Sequence, residues 1–162
     1  MPRFICLVAL TIFVGCGEGP IPVLPLKGTA SISSEFSPEE VQSIVDGAEV
    51  WYEATNGAVE YDFSLDAQTA DVFFVRADVM PDTTVGLWLY QESSIVLAPS
   101  ALRKVHLKTI VMHELGHALG IHEHLPAPSI MQEVTERSWN CIDDAALERF
   151  RLRHPDVETS GC

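Results

Sequence analysis

Apolar residues after Ser37 recur every three or four residues, which is the spacing of one helix face. That face carries Val41, Ile44, Val45, Ala48, Trp51 and Tyr52. Ser37 is followed by Pro38 and, three residues on, by Glu40, so both halves of a capping box are present with proline at the first helical position. The pattern therefore predicts a helix that begins at Pro38 and ends near Asn56 and Gly57.

The two-residue alternation of half-buried strands follows this helix. Residues 59–66 alternate between apolar side chains and acidic or small polar ones. Residues 72–75 instead form a continuous apolar run, which favours a central strand. Further strands are predicted at residues 28–33, 85–90 and 94–98, with a turn at Pro81 and Asp82.

Two more helices are predicted in the second half of the chain. One covers residues 101–119, and we interpret His106 in it as a surface or sheet-facing residue rather than a ligand. The other opens at Asp143 and Asp144 and is stopped by Pro155, and its acidic start and arginine-rich end both suit the helix dipole. This mixture of elements indicates one α+β domain of about 135 residues.

The N-terminal residues 1–15 have the pattern of a secretory signal peptide. One basic residue precedes an apolar run at residues 4–14 that is too short to span a bilayer. The run leads into Cys16 in a way that resembles a bacterial lipobox, so cleavage there would leave a lipidated cysteine; an ordinary signal peptide is the alternative. Residues 16–27 contain three prolines and are predicted to be an extended linker. The domain is then expected at residues 28–162, held at the bacterial cell envelope, at the outer membrane if there are two membranes, or released outside the cell.

The charge balance narrows the choice of partners. The chain has 10 Lys and Arg against 23 Asp and Glu, and cleavage of the signal would remove one more positive charge, that of Arg3. Because an acidic surface repels nucleic acid, we expect no nucleic-acid partner. Contact with a membrane is expected only through the N-terminal lipid, and the domain is expected to be a monomer.

The cysteine count predicts one disulfide. Of four cysteines, Cys6 falls in the signal peptide and Cys16 is assigned to the lipid, which leaves Cys141 and Cys162. In an exported protein such a pair is expected to be oxidised, and the bond would pin the C-terminal tail to the domain.

The residues that carry chemistry lie in the segment His-Glu-Leu-Gly-His at positions 113–117. Residues four apart share a helix face, so His113 and His117 can present two imidazoles to one metal ion. Glu114 lies about 100° around the helix, where it can contact a metal-bound water without binding the metal itself. Two helical histidines and a general base are the arrangement of a zinc hydrolase.

The wider segment resembles the zinc site of the metzincin metallopeptidases, whose pattern is His-Glu-x-x-His-x-x-Gly-x-x-His/Asp followed by a methionine turn. Gly120 matches the glycine that ends the family's active-site helix. Ser-Ile-Met at residues 129–131 matches the turn, in which Met131 would pack beneath the ligands. The resemblance extends over residues 28–155, and its specific motifs lie within 113–131.

The resemblance implies a fold, a cofactor and a mode of substrate binding. The fold would be the zincin-like one, with a mixed, mostly parallel twisted sheet, an active-site helix and a small C-terminal helical subdomain. The cofactor would be one catalytic Zn²⁺ ion. A strand at residues 84–91 would form the sheet edge to which a peptide adds as an antiparallel strand.

The third ligand departs from the family pattern. Counting from Gly120, it falls on Glu123, where the family has His or Asp; a carboxylate can also ligate zinc. The snapalysin-like branch is similar, with Asp in this position and His following. His124 and His122 flank Glu123 and remain open as alternatives.

These observations predict a zinc-dependent endopeptidase that acts on protein or peptide substrates outside the cytoplasm, with Glu114 as general base. One alternative is a gluzincin-like peptidase, in which a downstream glutamate such as Glu136 or Glu148 is the third ligand. The other is a non-catalytic envelope lipoprotein that keeps a degenerate zinc site.

Overall fold

The computed structural model describes residues 21–80, 84–101, 106–133 and 138–162. Its elements are β1 (Lys27–Ile32), α1 (Pro38–Ala54), β2 (Glu60–Leu65), β3 (Val72–Arg76), β4 (Gly86–Leu89), β5 (Ser94–Leu97), α2 (Leu107–Ala118) and α3 (Asp144–Arg153), with a 3₁₀ turn at Pro99–Ala101. The part of the chain described is therefore α+β, with one mixed sheet and three α-helices, and the predicted class is confirmed.

The five strands lie in the order β2-β1-β3-β5-β4. β1 runs parallel to β2 and β3, and β3 runs parallel to β5, so most of the sheet is parallel. β4 pairs antiparallel with β5 and forms an edge of the sheet. The apolar run that forms β3 is the central strand, as its pattern predicted.

Helix α1 begins and ends where its pattern predicted. The Ser37 side chain accepts from the Glu40 backbone N–H at 3.3 Å, and the Glu40 carboxylate accepts from the Ser37 N–H at 2.8 Å, which completes the capping box. The last helical residue is Ala54, and Asn56 and Gly57 follow with positive φ angles of 50° and 80°. Both ends of α1 are thus set by local chemistry.

The core lies between the sheet and the two longer helices. The fully buried strand residues are Ala30, Ile32, Val72, Phe74, Ile95 and Leu97. Trp51 of α1 connects the helices: its indole N–H donates to the carbonyl of Met112 in α2 at 2.8 Å, and its ring centroid lies 5.6 Å from that of Phe150 in α3. A buried tryptophan that satisfies its N–H in this way fixes the neighbouring helices relative to α1.

Two boundaries differ from the prediction. β1 begins at Lys27, and Leu24 is buried with its N–H bonded to the Ala118 carbonyl at 2.9 Å, so residues 24–27 belong to the folded domain and not to the linker. Helix α2 begins at Leu107 instead of residue 101, because His106 has extended backbone and acts as its N-cap, with an exposed side chain. The apolar pattern alone could show neither the contact of Leu24 with α2 nor the extended backbone of His106.

Several predicted features lie outside the described residues: the signal peptide, Cys16, the turn at Pro81 and Asp82, and Glu136. In the ranges that the structure covers, no helix has both the length and the apolar character needed to cross a bilayer.

Cys141 and Cys162 form the predicted disulfide, with Cα atoms 5.9 Å apart. Backbone hydrogen bonds hold the same tail: Ser160 N–H donates to Ala54 at 2.8 Å and Cys162 N–H donates to Ile142 at 3.2 Å. The C-terminal tail is therefore fixed against the end of α1 and the residues just before α3.

Replacing both cysteines by serine (Cys141→Ser/Cys162→Ser) should lower the free energy of unfolding by about 3 kcal/mol, as expected for a loop of this length. The bond closes a sequence separation of 21 residues. Urea unfolding of the double variant, compared with oxidised and reduced wild type, measures the difference. The reduced wild type should match the variant, and a variant as stable as the oxidised protein would contradict the expectation.

Candidate metal centre

The end of α2 is shaped by a Schellman motif. The Ile121 N–H donates to the Gly116 carbonyl at 2.9 Å, and the Gly120 N–H donates to the His117 carbonyl at 3.0 Å. Gly120 has a φ of 103°, a left-handed conformation that costs little only for glycine. The helix-ending role predicted for Gly120 is therefore what the backbone requires.

Beyond this turn the chain brings His124 to the two histidines of α2. Nε2 of His117 lies 3.0 Å from Nε2 of His113 and 3.3 Å from Nε2 of His124. Metal–nitrogen bonds of about 2.0–2.1 Å in a tetrahedral site put neighbouring nitrogens about 3.3 Å apart. The three histidines are therefore close enough to bind one metal ion.

Backbone carbonyls decide which nitrogen of each helical histidine faces this cluster. His113 Nδ1 lies 2.7 Å from the Ile130 carbonyl oxygen, and His117 Nδ1 lies 2.6 Å from the Ile121 carbonyl oxygen. A carbonyl only accepts, so both Nδ1 atoms carry hydrogen and both Nε2 atoms of the neutral rings carry a free lone pair. Lone pairs this close repel each other unless a cation lies between them, so the donor set fits a divalent metal.

The histidine rings are held in the form that binds metal. Burial lowers the pKa of His113 to about 4, although the hydrogen bond to Ile130 opposes the shift. Burial also lowers the pKa of His117, against the hydrogen bond to Ile121. Both rings are therefore neutral near pH 7, and no proton has to leave Nε2 before a metal ion binds.

Met131, the methionine of the predicted turn, packs directly against Gly116 of helix α2. A Cβ atom added to Gly116 would collide with the Met131 sulfur and lie 3.0 Å from its Cε atom. The Met131 carbonyl accepts from the N–H of Leu125 at 2.9 Å, which also ties down the residue after His124. Gly116 is thus required by the methionine, a constraint that the spacing of the motif did not reveal.

Asp143 anchors the methionine turn from the start of α3. Its carboxylate accepts from the Ile130 N–H at 2.7 Å and from the Ser129 hydroxyl at 3.0 Å, and it caps α3 through the Ala146 N–H at 3.1 Å. Since the Ile130 carbonyl holds His113, a chain of hydrogen bonds runs from Asp143 to a ring of the cluster. The sequence identified Asp143 only as the start of a helix.

Glu123, the preferred third ligand in the sequence prediction, does not lie in the cluster. Its carboxylate lies 3.2 Å from Nε of Arg149, and its side chain is 51% exposed. The alternative, His124, is the residue that joins His113 and His117, while His122 stays outside. The Schellman motif fixes the chain as far as Ile121, and the next backbone hydrogen bond is that of Leu125, so counting from Gly120 could not tell whether Glu123 or His124 turns toward the other histidines.

Glu114 lies against the edge strand. Gly86 makes this approach possible: a Cβ atom there would collide with Ile110 and lie 2.7 Å from the Glu114 Oε1 atom. Burial raises the pKa of Glu114 to about 8, and a backbone hydrogen bond from Trp88 lowers it in part. A divalent cation at the histidines would lower this pKa again, because a nearby positive charge favours the carboxylate.

The gluzincin-like alternative gains no ligand from the described residues. Glu148 is exposed on α3 and is not part of the histidine cluster. The other glutamate considered, at position 136, lies where the structure gives no description.

Comparison with family models gives no match, and no curated protein is significantly similar to this chain. The assignment of a function therefore depends on the geometry of the site.

The third-ligand assignment predicts opposite outcomes for two adjacent residues. His124→Ala should weaken zinc binding by more than about 100-fold, since even the loss of an outer-shell partner costs 10- to 100-fold. Glu123→Gln should stay within about tenfold of wild type, and His122→Ala is the matched control for removing a neighbouring imidazole. Chelator competition measures the affinities, and a larger loss in Glu123→Gln than in His124→Ala would refute the assignment.

The contact between Gly116 and Met131 predicts that replacing this helical glycine by alanine lowers the stability of the domain. Alanine for glycine inside a helix normally stabilises it by up to about 1 kcal/mol. Gly116→Ala should instead destabilise the domain by about 1–3 kcal/mol, the usual cost of overpacking. In a Met131→Ala background the same substitution should cost little or become favourable. Denaturant unfolding of the four proteins tests this, and equal costs in both backgrounds would exclude the contact as the cause.

Proposed function

We propose that this protein is a zinc-dependent endopeptidase of the metzincin type, which hydrolyses peptide bonds of proteins outside the cytoplasm. The observation that carries the proposal is the convergence of His124 with His113 and His117 of α2, the helix that also carries the buried Glu114. The leader sequence supports a location at the cell envelope or beyond it.

The donor set supports zinc. Three imidazole ligands leave one position of a tetrahedral ion open, which is the arrangement of catalytic rather than structural zinc sites. His113, His117 and His124 would hold the ion, which would supply a Lewis acid and activate water at neutral pH. This chain has Glu123 where the family pattern has its third ligand, but the adjacent His124 would supply the third imidazole, since its Nε2 atom lies 3.3 Å from that of His117.

Glu114 would act as the general base. Its carboxylate would take the proton of the attacking water and deliver it to the leaving amine. Burial raises its pKa and a neighbouring cation would lower it, so the two effects together favour a group that both accepts and returns a proton near neutral pH.

The edge strand supports a peptide as substrate. The Ala98 N–H donates to the Val85 carbonyl at 3.0 Å, and antiparallel pairing alternates, so Gly86 and Trp88 turn their backbone groups toward the free edge of β4. An extended peptide that added to this edge would run beside Glu114. A strand edge also accepts a chain that continues past both ends of the site, which suits cleavage within a polypeptide.

Glu114→Gln should reduce cleavage of a protein substrate such as casein by about 10²- to 10⁴-fold, the usual contribution of a general base. Zinc content should be unchanged, because the three histidines remain. Glu49→Gln, an exposed residue of α1, is the matched control and should cleave at the wild-type rate. Full activity of Glu114→Gln would refute the mechanism, and no chelator-sensitive cleavage by wild type would refute the function.

A further inference from the structure

We propose that Arg149 is a positioning residue that selects the metal ligand: by binding Glu123 it keeps this carboxylate away from the histidines, so that His124 completes the site. The inference rests on the proposed metal site and concerns a choice that the family pattern left open. Its basis is the ion pair between Arg149 Nε and Glu123 Oε1 at 3.2 Å, next to the convergence of His124 with His117.

The need for a choice follows from the chain itself. Glu123 and His124 are neighbours in a segment without helix or strand structure, and both side-chain types bind zinc. A carboxylate carries a full negative charge, so a divalent cation attracts it more strongly at a distance than a neutral imidazole. Glu123 directly precedes His124, whose Nε2 atom lies 3.3 Å from Nε2 of His117. Without a positive partner, Glu123 would compete for the metal.

Arg149 is well placed to supply that partner, because it belongs to a helix that is tied to the site at its start. Asp143 caps α3 and holds the methionine turn, so the start of the helix that carries Arg149 is connected to His113 through Ile130. The guanidinium therefore binds Glu123 from a helix that is separately bonded to the methionine turn.

The exposure of the Arg149 and Glu123 side chains limits how strongly their ion pair can bias the choice of ligand. The side chains of Arg149 and Glu123 are 48% and 51% exposed, and ion pairs at such sites shift an equilibrium by up to about fivefold. A bias of this size would not build a site alone. It matters here because the competing ligand is the adjacent residue, so a small preference decides which one faces the metal.

The experiment adds Zn²⁺ alone to the metal-free full domain and follows the histidine ring nitrogens by NMR. In wild type, zinc should shift Nε2 of all three histidines. In Arg149→Gln, a second population should appear in which the His124 nitrogen is free, and the ratio of bound to free His124 should fall by about two- to fivefold. Arg151→Gln removes a neighbouring arginine of α3 that makes no ion pair within the described ranges, and should behave as wild type.

A second substitution separates ligand selection from a general structural role. Arg149→Gln/Glu123→Gln removes the competing charge, so it should return His124 to the wild-type bound fraction. A wild-type spectrum for Arg149→Gln, or a loss that persists in the double variant, would overturn the inference. No substrate is involved: a protein that binds zinc through three histidines but cleaves nothing would refute the proposed peptidase and leave this test intact.

Discussion

The constraint on which the site depends is electrostatic: the uncharged ring nitrogens of His113 and His117 are held lone pair against lone pair, 3.0 Å apart. Two backbone carbonyls impose this arrangement, because each accepts the only N–H of a neutral ring at Nδ1, on the side away from the cluster. Neither carbonyl belongs to the helix that carries the histidines. One lies in the turn that follows Gly120 and the other in the methionine turn, so the metal-facing geometry is a property of the tertiary fold.

Helix α3 has a larger part in this fold than its length suggests. Its N-cap residue Asp143 holds the methionine turn, and Arg149 pairs with Glu123 on the loop beyond α2. The disulfide at Cys141 fixes the chain two residues before that cap. Restraints on the methionine turn and on the loop beyond α2 thus come from one C-terminal segment.

The sequence predicted those features that depend on neighbouring residues. The capping box at Ser37, the apolar run of β3 and the left-handed Gly120 are local patterns with local causes. The remainder depends on contacts across the fold. Gly116 is needed because Met131 fills the space above it, and Leu24 is folded in because it bonds to α2. Neither contact leaves a periodic signal in the chain, and the inward turn of His124 rather than Glu123 is of the same kind.

The edge strand shows how the fold reconciles stability with the proposed activity. A peptidase that binds its substrate as an added strand must leave backbone groups unpaired, which exposes the protein to pairing with other chains. β4 limits this risk by its length of four residues. Glu114 limits this risk further, because its carboxylate accepts a hydrogen bond from the outward-facing backbone N–H of Trp88. The carboxylate can approach this closely because Gly86 has no side chain. The residue proposed as general base therefore also covers part of the β4 edge, and a peptide that added to this edge would have to displace its carboxylate from the Trp88 backbone.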